Sequence, residues 1–218
     1  MLDSVRSAPV LQPLTILVAD DHELIRMSVR DLLELRAGWR VCAEASDGLA
    51  AVARAAELHP DVAILDVRMP LLNGLDAARL IRQASPATEI LIISGQASER
   101  LVAEAFSAGA HAVALKGEDA AQIVGAVAAL ADHRTFVGWE GKAPRPHASE
   151  GPLARLSGRE RQVGQLLAEG KTNLSVAAIL GISVKTVETH RASVLEKLGL
   201  ETVVELVHYA VRNGIIDP

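Results

Sequence analysis

The stretch Asp61-Val62-Ala63-Ile64-Leu65-Asp66-Val67-Arg68-Met69-Pro70 sets the frame for the whole chain. Val62 to Asp66 is apolar until its last residue, too short for a confident helix, and closed by a carboxylate and a proline turn. That pattern predicts a buried strand with Asp66 at its carboxyl end. In an open parallel sheet ligands collect at that edge, because the loops leaving it form a crevice. Taken alone, Asp66 could equally well be a residue that only caps the following turn.

The same grammar recurs along the first 131 residues. Thr15-Ile16-Leu17-Val18-Ala19 runs into Asp20-Asp21, Arg40 to Ala45 reads as a weaker strand, Glu89 to Ser94 as a fourth and Ala110 to Leu115, ending at Lys116, as a fifth. Helical spacing of apolar residues falls between them, over Glu23 to Leu35, Gly48 to Leu58, Gly74 to Gln83, Ser98 to Ala108 and Asp119 to Ala131. His59-Pro60 ends the second helix, since a residue before proline resists the helical region. Five strands alternating with five helices predict an α/β fold, a doubly wound parallel sheet covered on both faces. With aromatics at 2% of the chain, its packing rests on Ala, Leu, Val and Ile.

On this frame Asp20, Asp21, Asp66, Ser94 and Lys116 all end strands and converge on one edge of one sheet. Clustered carboxylates repel one another unless a cation sits among them, and an all-oxygen set suits Mg2+. A nearby lysine pairs with an anionic ligand and a serine hydroxyl donates to it. The set reads as a phosphoryl-accepting pocket: Asp66 the nucleophile, Asp20 and Asp21 the metal holders, Lys116 and Ser94 the binders of phosphoryl oxygens. His22 follows the acidic pair and is placed to tune it from the rim, while His111, alone at an element end, is read as structural.

At 218 residues and 50% hydrophobic, with mean hydropathy +0.24, the chain has material for one good core and for a second. No apolar run reaches the roughly 20 residues that span a bilayer, and Met1 to Pro13 lacks the pattern of a signal peptide, so the expected location is the cytoplasm, without membrane partners. The single Cys42 has no partner at metal-ligand spacing and fits a reducing compartment. Charge is uneven: residues 1–131 carry 11 Lys+Arg against 17 Asp+Glu, whereas residues 153–200 carry 7 against 4. An acidic front and a mildly basic rear point to two domains with different partners.

Residues 132–154 are punctuated by Gly138, Gly141, Pro144, Pro146, Gly151 and Pro152 and hold no sustained apolar period, as a tether would, with Trp139 the exception that could pack on either domain. Beyond it, Ser157 and Glu160 match a capping box. A helix to Gly170, a short helix Leu174 to Leu180 capped by Thr172, a turn Gly181-Ile182-Ser183 and a longer helix Val184 to Leu198 follow. Its apolar positions Val187, Val194, Leu195 and Leu198 leave Lys185, Glu188, Thr189 and Ala192 outward. That is a helix-turn-helix arrangement, shaped for a DNA major groove. Gly164 with Gly170-Lys171-Thr172 mimics a phosphate-binding loop, but the glycine spacing is one residue too long and no strand precedes it, so nucleotide binding there is rejected.

Asp20-Asp21, Asp66 with Met69-Pro70, Ser94-Gly95 and Lys116 resemble the response-regulator receiver domain of bacterial two-component systems, over about residues 14–131. The phrase from Gly170 and Asn173 through Ile182-Ser183, Thr186-Val187 and His190 to Lys197-Leu198 resembles the LuxR-type DNA-binding domain, over residues 153–216, with 132–152 as linker. Together they resemble the NarL/FixJ subfamily of transcription regulators. The resemblance implies a flavodoxin-like receiver plus a small all-α domain, phosphorylation of Asp66 by a sensor histidine kinase, and Mg2+ held by Asp20, Asp21, Asp66 and the Arg68 backbone carbonyl. By the same resemblance, the Arg68 side chain and Gln96 occupy sites that in the family tune dephosphorylation. In the rear domain it implies Glu188, Thr189 and Ala192 at the base edges of double-stranded promoter DNA and Lys185, Thr186 and Arg191 toward phosphates. His190 is divided between packing and a DNA contact. A homodimer on activation, paired through Glu201 to Val211, is implied as well, and RNA polymerase is a further partner to consider.

One departure stands out. Val113 occupies the fifth-strand position where receivers usually carry an aromatic switch residue. This keeps open an alternative, a phosphorylation-independent regulator acting through protein and DNA contacts. An enzymatic reading, with Asp66 as a phosphatase nucleophile, wants a second Asp where Arg68 stands, and no enzyme is expected. In the resting state the receiver is expected either to cover the recognition helix or to keep the chain monomeric.

Overall fold

The computed structural model describes residues 13–96, 98–116, 120–138 and 155–216. Its sheet is built from β1 (Leu14–Ala19), β2 (Trp39–Ala45), β3 (Val62–Asp66), β4 (Glu89–Ser94), β5 (Ala112–Leu115) and β6 (Phe136–Val137). All pairings are parallel, in the order β2-β1-β3-β4-β5-β6. The helices between them are α1 (Glu23–Glu34), α2 (Gly48–Leu58), α3 (Gly74–Ala84), α4 (Glu99–Ser107) and α5 (Ala120–Ala131).

Strand residues alternate between two cores. Leu17, Ala63, Leu65, Ile90 and Ile92 face the side packed by α2, α3 and α4, while Ile16, Val18, Ile64, Leu91 and Ile93 face the side packed by α1 and α5. Burial on both faces explains why these strands read as continuous apolar runs. The chain leaves β1 in one direction for β2 and returns on its other side to β3, so the sheet reverses between β1 and β3. Asp20, Asp21 and Asp66 emerge at that reversal, where open sheets bind ligands.

The expected five strands become six. Phe136–Val137, placed by sequence in the tether, pairs with Ala112 and Val113 of β5. Two residues cannot display a period, and what fixes them is the otherwise open edge of β5, with Gly138 N–H also donating to the Val113 carbonyl at 2.8 Å. From position 139 on, the tether, Trp139 included, lies outside the described residues.

The rear helices are α6 (Gly158–Ala168), α7 (Asn173–Leu180), α8 (Val184–Leu198) and α9 (Val203–Arg212). Ser157, Thr172, Ser183 and Thr202 each cap the helix that follows, and the capping box of Ser157 and Glu160 is present. Gly181 and Gly199 end α7 and α8 in left-handed conformation, with φ of 63° and 67°. Leu156, Val163, Leu166, Val176, Val187, Val194 and Leu206 form one separate core under these helices. This core also receives Leu71, a residue of the loop between β3 and α3.

Candidate functional site

Asp20 is fully buried and Asp66 nearly so. The Lys116 ammonium stands between them, 2.6 Å from Asp20 Oδ2 and 2.9 Å from Asp66 Oδ1. The backbone explains the meeting. Lys116 N–H donates to the Ser94 carbonyl at 2.8 Å, which anchors the end of β5 beside β4, and Val67 N–H donates to Ile93 at 3.1 Å, which fixes the exit of β3. Burial raises the Asp66 carboxyl to about pH 6, opposed by Lys116 and reinforced by Asp20 and Asp21.

Asp20 Oδ1 accepts the His22 N–H at 3.0 Å. Its Oδ2 lies close to Lys116 but outside hydrogen-bonding angles, which leaves a buried carboxylate oxygen without a hydrogen bond. Asp21 is the more exposed member, and its Oδ1 lies 2.8 Å from His22 Nδ1. Asp20, Asp21 and His22 offer ligand atoms close enough together to share an ion. An underbonded buried oxygen beside a second carboxylate is what a small hard cation completes, so this acidic pocket fits Mg2+.

Of the other expected members, Ser94 ends β4 with its hydroxyl turned to Gln96, donating to the Gln96 carbonyl at 2.7 Å, rather than to Asp66. Val113 is buried in the core that α2, α3 and α4 cover. His111 Nδ1 accepts the Ile90 N–H at 3.0 Å and lies 2.9 Å from Glu89, far down the strands from the acidic pocket.

In the rear domain Val187 and Val194 point into the core and Lys185, Thr186, Glu188, Thr189 and Ala192 are exposed along one side of α8, with His190 and Arg191 half-buried beside them. No described residue of the receiver covers this face. That removes the expectation of a hidden recognition helix. The polar side chains of its first turn are ordered by Ser183, whose hydroxyl accepts the Thr186 N–H at 3.1 Å.

Two sets of contacts escaped the sequence reading. The capping carboxylate Glu160 also accepts Lys197 Nζ at 2.7 Å and the Ser193 hydroxyl at 2.6 Å, tying α6 to the recognition helix. These bonds hold the Glu160 carboxyl down at about 2. Arg161 and Gln165 of α6, and Glu169 that caps its end, bond to the loop and helix that follow Asp66: Gln165 to Met69 and Asn73, Glu169 to Leu71 and Arg161 to Asp76. Their spacing of four residues, which sets them on one side of a helix, was the available signal.

A doubly wound sheet with an acidic crevice at its reversal, carried in one chain with a helix-turn-helix unit, defines a class: a DNA-binding regulator whose state is set in a separate receiver. Known proteins narrow it. The response regulator receiver domain profile matches residues 16–128, and that of the bacterial regulatory proteins of the luxR family matches residues 154–210. Response regulator UvrY of Escherichia coli (strain K12) is 30% identical over 210 residues, which cover 94% of this chain and 96% of UvrY. Transcriptional regulatory protein LiaR of Bacillus subtilis (strain 168) is 32% identical over 208 residues, covering 93% and 99%. The crystal structure of a LuxR-family two-component response regulator from Aurantimonas sp. SI85-9A1 has 35% identity and a TM-score of 0.55, covering 57% of this chain and 89% of that one.

The chain belongs to the NarL/FixJ family of two-component response regulators, transcription regulators under phosphorylation control. These relatives do not favour the phosphorylation-independent alternative. Among the described residues no helix is long and apolar enough to cross a membrane.

Proposed function

We propose that Asp66 is the residue that accepts the phosphoryl group, from a phosphohistidine of a sensor kinase, and that residues 14–131 act as receiver, 132–152 as linker and 153–216 as the DNA-binding unit. An Asp66 carboxylate oxygen attacks phosphorus; the new O–P bond forms as the N–P bond breaks, and the departing imidazole nitrogen keeps the electron pair. Asp20, Asp21, Asp66 and the Arg68 carbonyl would hold Mg2+, which when bound draws charge from the phosphoryl oxygens. Lys116 neutralises a phosphoryl oxygen, and Ser94 turns from the Gln96 carbonyl to donate to another. The observation that carries this reading is the single ammonium of Lys116 shared by buried Asp20 and Asp66. It joins the ends of three strands at one point.

At the other end, Lys185, Thr186 and Arg191 meet phosphates, and Glu188, Thr189 and Ala192 face base edges, with His190 at the margin. Two chains paired through α9 read inverted half-sites of promoter DNA. The chain works in the cytoplasm, as a homodimer when activated, with RNA polymerase as the downstream partner. Incubation with Mg2+ and acetyl phosphate, read by intact mass, is expected to add one phosphoryl group to the natural chain and none to Asp66→Asn. Promoter DNA is expected to bind more tightly with beryllofluoride present. A phosphoryl group retained by Asp66→Asn, or DNA affinity indifferent to beryllofluoride, overturns the reading.

A further inference from the structure

The acidic pair stands on a turn whose backbone is gripped from outside the pocket. Asp20 N–H donates to the Ala45 carbonyl at 3.1 Å, which ties the turn to the end of β2. The Asp20 carbonyl accepts Arg26 Nη1 at 2.8 Å, and the Arg26 N–H donates to the His22 carbonyl at 3.0 Å. One residue of α1 therefore closes both ends of the stretch Asp20-Asp21-His22. His22 gives α1 no side-chain cap, so these bonds fix how the helix enters. With the His22 N–H on Asp20 Oδ1 and Lys116 beside Oδ2, Asp20 is held at its main chain and at both carboxylate oxygens.

Arg26 is itself braced. Its Nε donates to Glu44 Oε2 at 3.3 Å, and the other oxygen of Glu44 takes Arg30 Nη1 at 2.8 Å, one turn further along α1. Glu44 directly precedes Ala45, so both grips on the Asp20 peptide lead back to neighbouring residues of β2. The Arg26 side chain is only 16% exposed, which confines it to this course. A planar guanidinium presents donors in a fixed fork and spans the Asp20 carbonyl and Glu44 together, whereas an ammonium on a flexible stem is a point charge with no such preferred plane.

We infer that Arg26, braced by Glu44, is a positioning residue that sets the ion preference of the acidic pocket: it holds the Asp20–Asp21 turn in the narrow geometry that Mg2+ needs and Ca2+ does not. The inference rests on the proposal that Asp20, Asp21 and Asp66 hold Mg2+. Mg2+ demands near-octahedral ligands at roughly 2.1 Å, while Ca2+ accepts more oxygens at longer and more variable distances, so rigidity of the site decides between them. Residues behind the ligands supply that rigidity. Charge does not: the two ions carry the same charge, and the guanidinium opposes both to nearly the same extent. Slackening the turn therefore costs Mg2+ affinity and spares Ca2+.

The ratio of the two affinities is the measurement, because loss of charge alone leaves it unchanged. In the full-length chain, the amide shifts of Asp20, Asp21 and Asp66 are followed by NMR as MgCl2 or, separately, CaCl2 is added. The natural chain is expected to prefer Mg2+. Arg26→Lys and Glu44→Ala are each expected to lower the Mg2+ to Ca2+ affinity ratio about tenfold, with Ca2+ affinity little changed. Glu44→Gln keeps an acceptor for Arg26 and should retain most of the ratio. The double variant of Arg26→Lys with Glu44→Ala should fall no further than either single one, since both act through one bond. Glu44 lies outside the pocket, so its variants serve if Arg26→Lys does not fold. A natural chain indifferent between the ions, or a ratio in Glu44→Ala that holds or rises, overturns the brace and leaves the acceptor proposal standing. A natural chain whose amides respond to neither ion overturns the metal assignment on which both rest.

Discussion

Lys116 Nζ lies 2.9 Å from Asp66 Oδ1, and it is the same ammonium that neutralises Asp20. Removing one partner from a buried ionic group leaves charge without compensation, which costs more than the pair contributes when intact. Lys116→Ala is expected to lose about 3 kcal/mol of stability in Mg2+-free buffer. Mg2+ should restore much of it, by binding the folded form alone. Urea unfolding with and without the ion checks both parts.

The raised Asp66 carboxyl gives the opposite sign. Its value moves from 3.8 unfolded to about 6 folded, so across that window the folded chain binds more protons and stability falls as pH rises. Above about pH 6 the penalty is complete. Asp66→Asn should therefore melt higher than the natural chain at pH 7.5 without metal, by on the order of 2 kcal/mol, and lose that advantage by about pH 4.

Glu160 behaves as a conventional buried acceptor. Hydrogen bonds from Lys197, first, and Ser193 hold it at about 2 against 4.5 unfolded, so the unfolded chain binds more protons between those values. Its stabilising contribution is present above about pH 4.5 and drains away as pH falls toward 2. Glu160→Gln should flatten the acid limb of a melting-temperature profile and lower the plateau near neutrality.

At Gly74 the approach of the Asp66 carbonyl oxygen admits no side chain. Gly74→Ala is expected to cost about 2 kcal/mol or more through backbone displacement. Because the displaced atoms belong to Asp66, the rate of phosphorylation by acetyl phosphate should fall more than stability alone explains, which a comparison at equal folded fraction would reveal.

Glu188 is exposed on the open side of α8. At the base-facing position proposed for it, a carboxylate would accept a hydrogen bond from cytosine N4 and be repelled by phosphates. Glu188→Ala should shift the preferred sequence in a binding selection while leaving the slope of affinity against salt nearly unchanged, whereas Lys185→Ala should lower that slope by about one.

How much of this was legible in the sequence follows from range. The strands and helices declared themselves because period and caps are local: Val62 to Asp66 and the Ser157–Glu160 box needed no distant partner. The meeting of Asp20, Asp66 and Lys116 was legible because a parallel sheet puts every strand's carboxyl end on one edge. Phe136–Val137 was not, being too short to carry a period and dependent on β5 for its place. The Lys197 bond to Glu160 and the hold of Gln165 and Glu169 on Met69, Leu71 and Asn73 were not either. Such bonds join residues tens of positions apart, and only the packed arrangement decides them. Ser94 was placed on the right edge, but its rotamer depends on Gln96.

The bare outer side of α8 has a consequence for how such a chain spends its idle time. On the proposed reading of α8, an edge left in the open would touch any duplex it meets, briefly and without preference, and the resting population would patrol the chromosome rather than wait apart from it. Stimulus then acts on dwell time. Occupancy before any signal should track copy number in the cell and fade as salt rises.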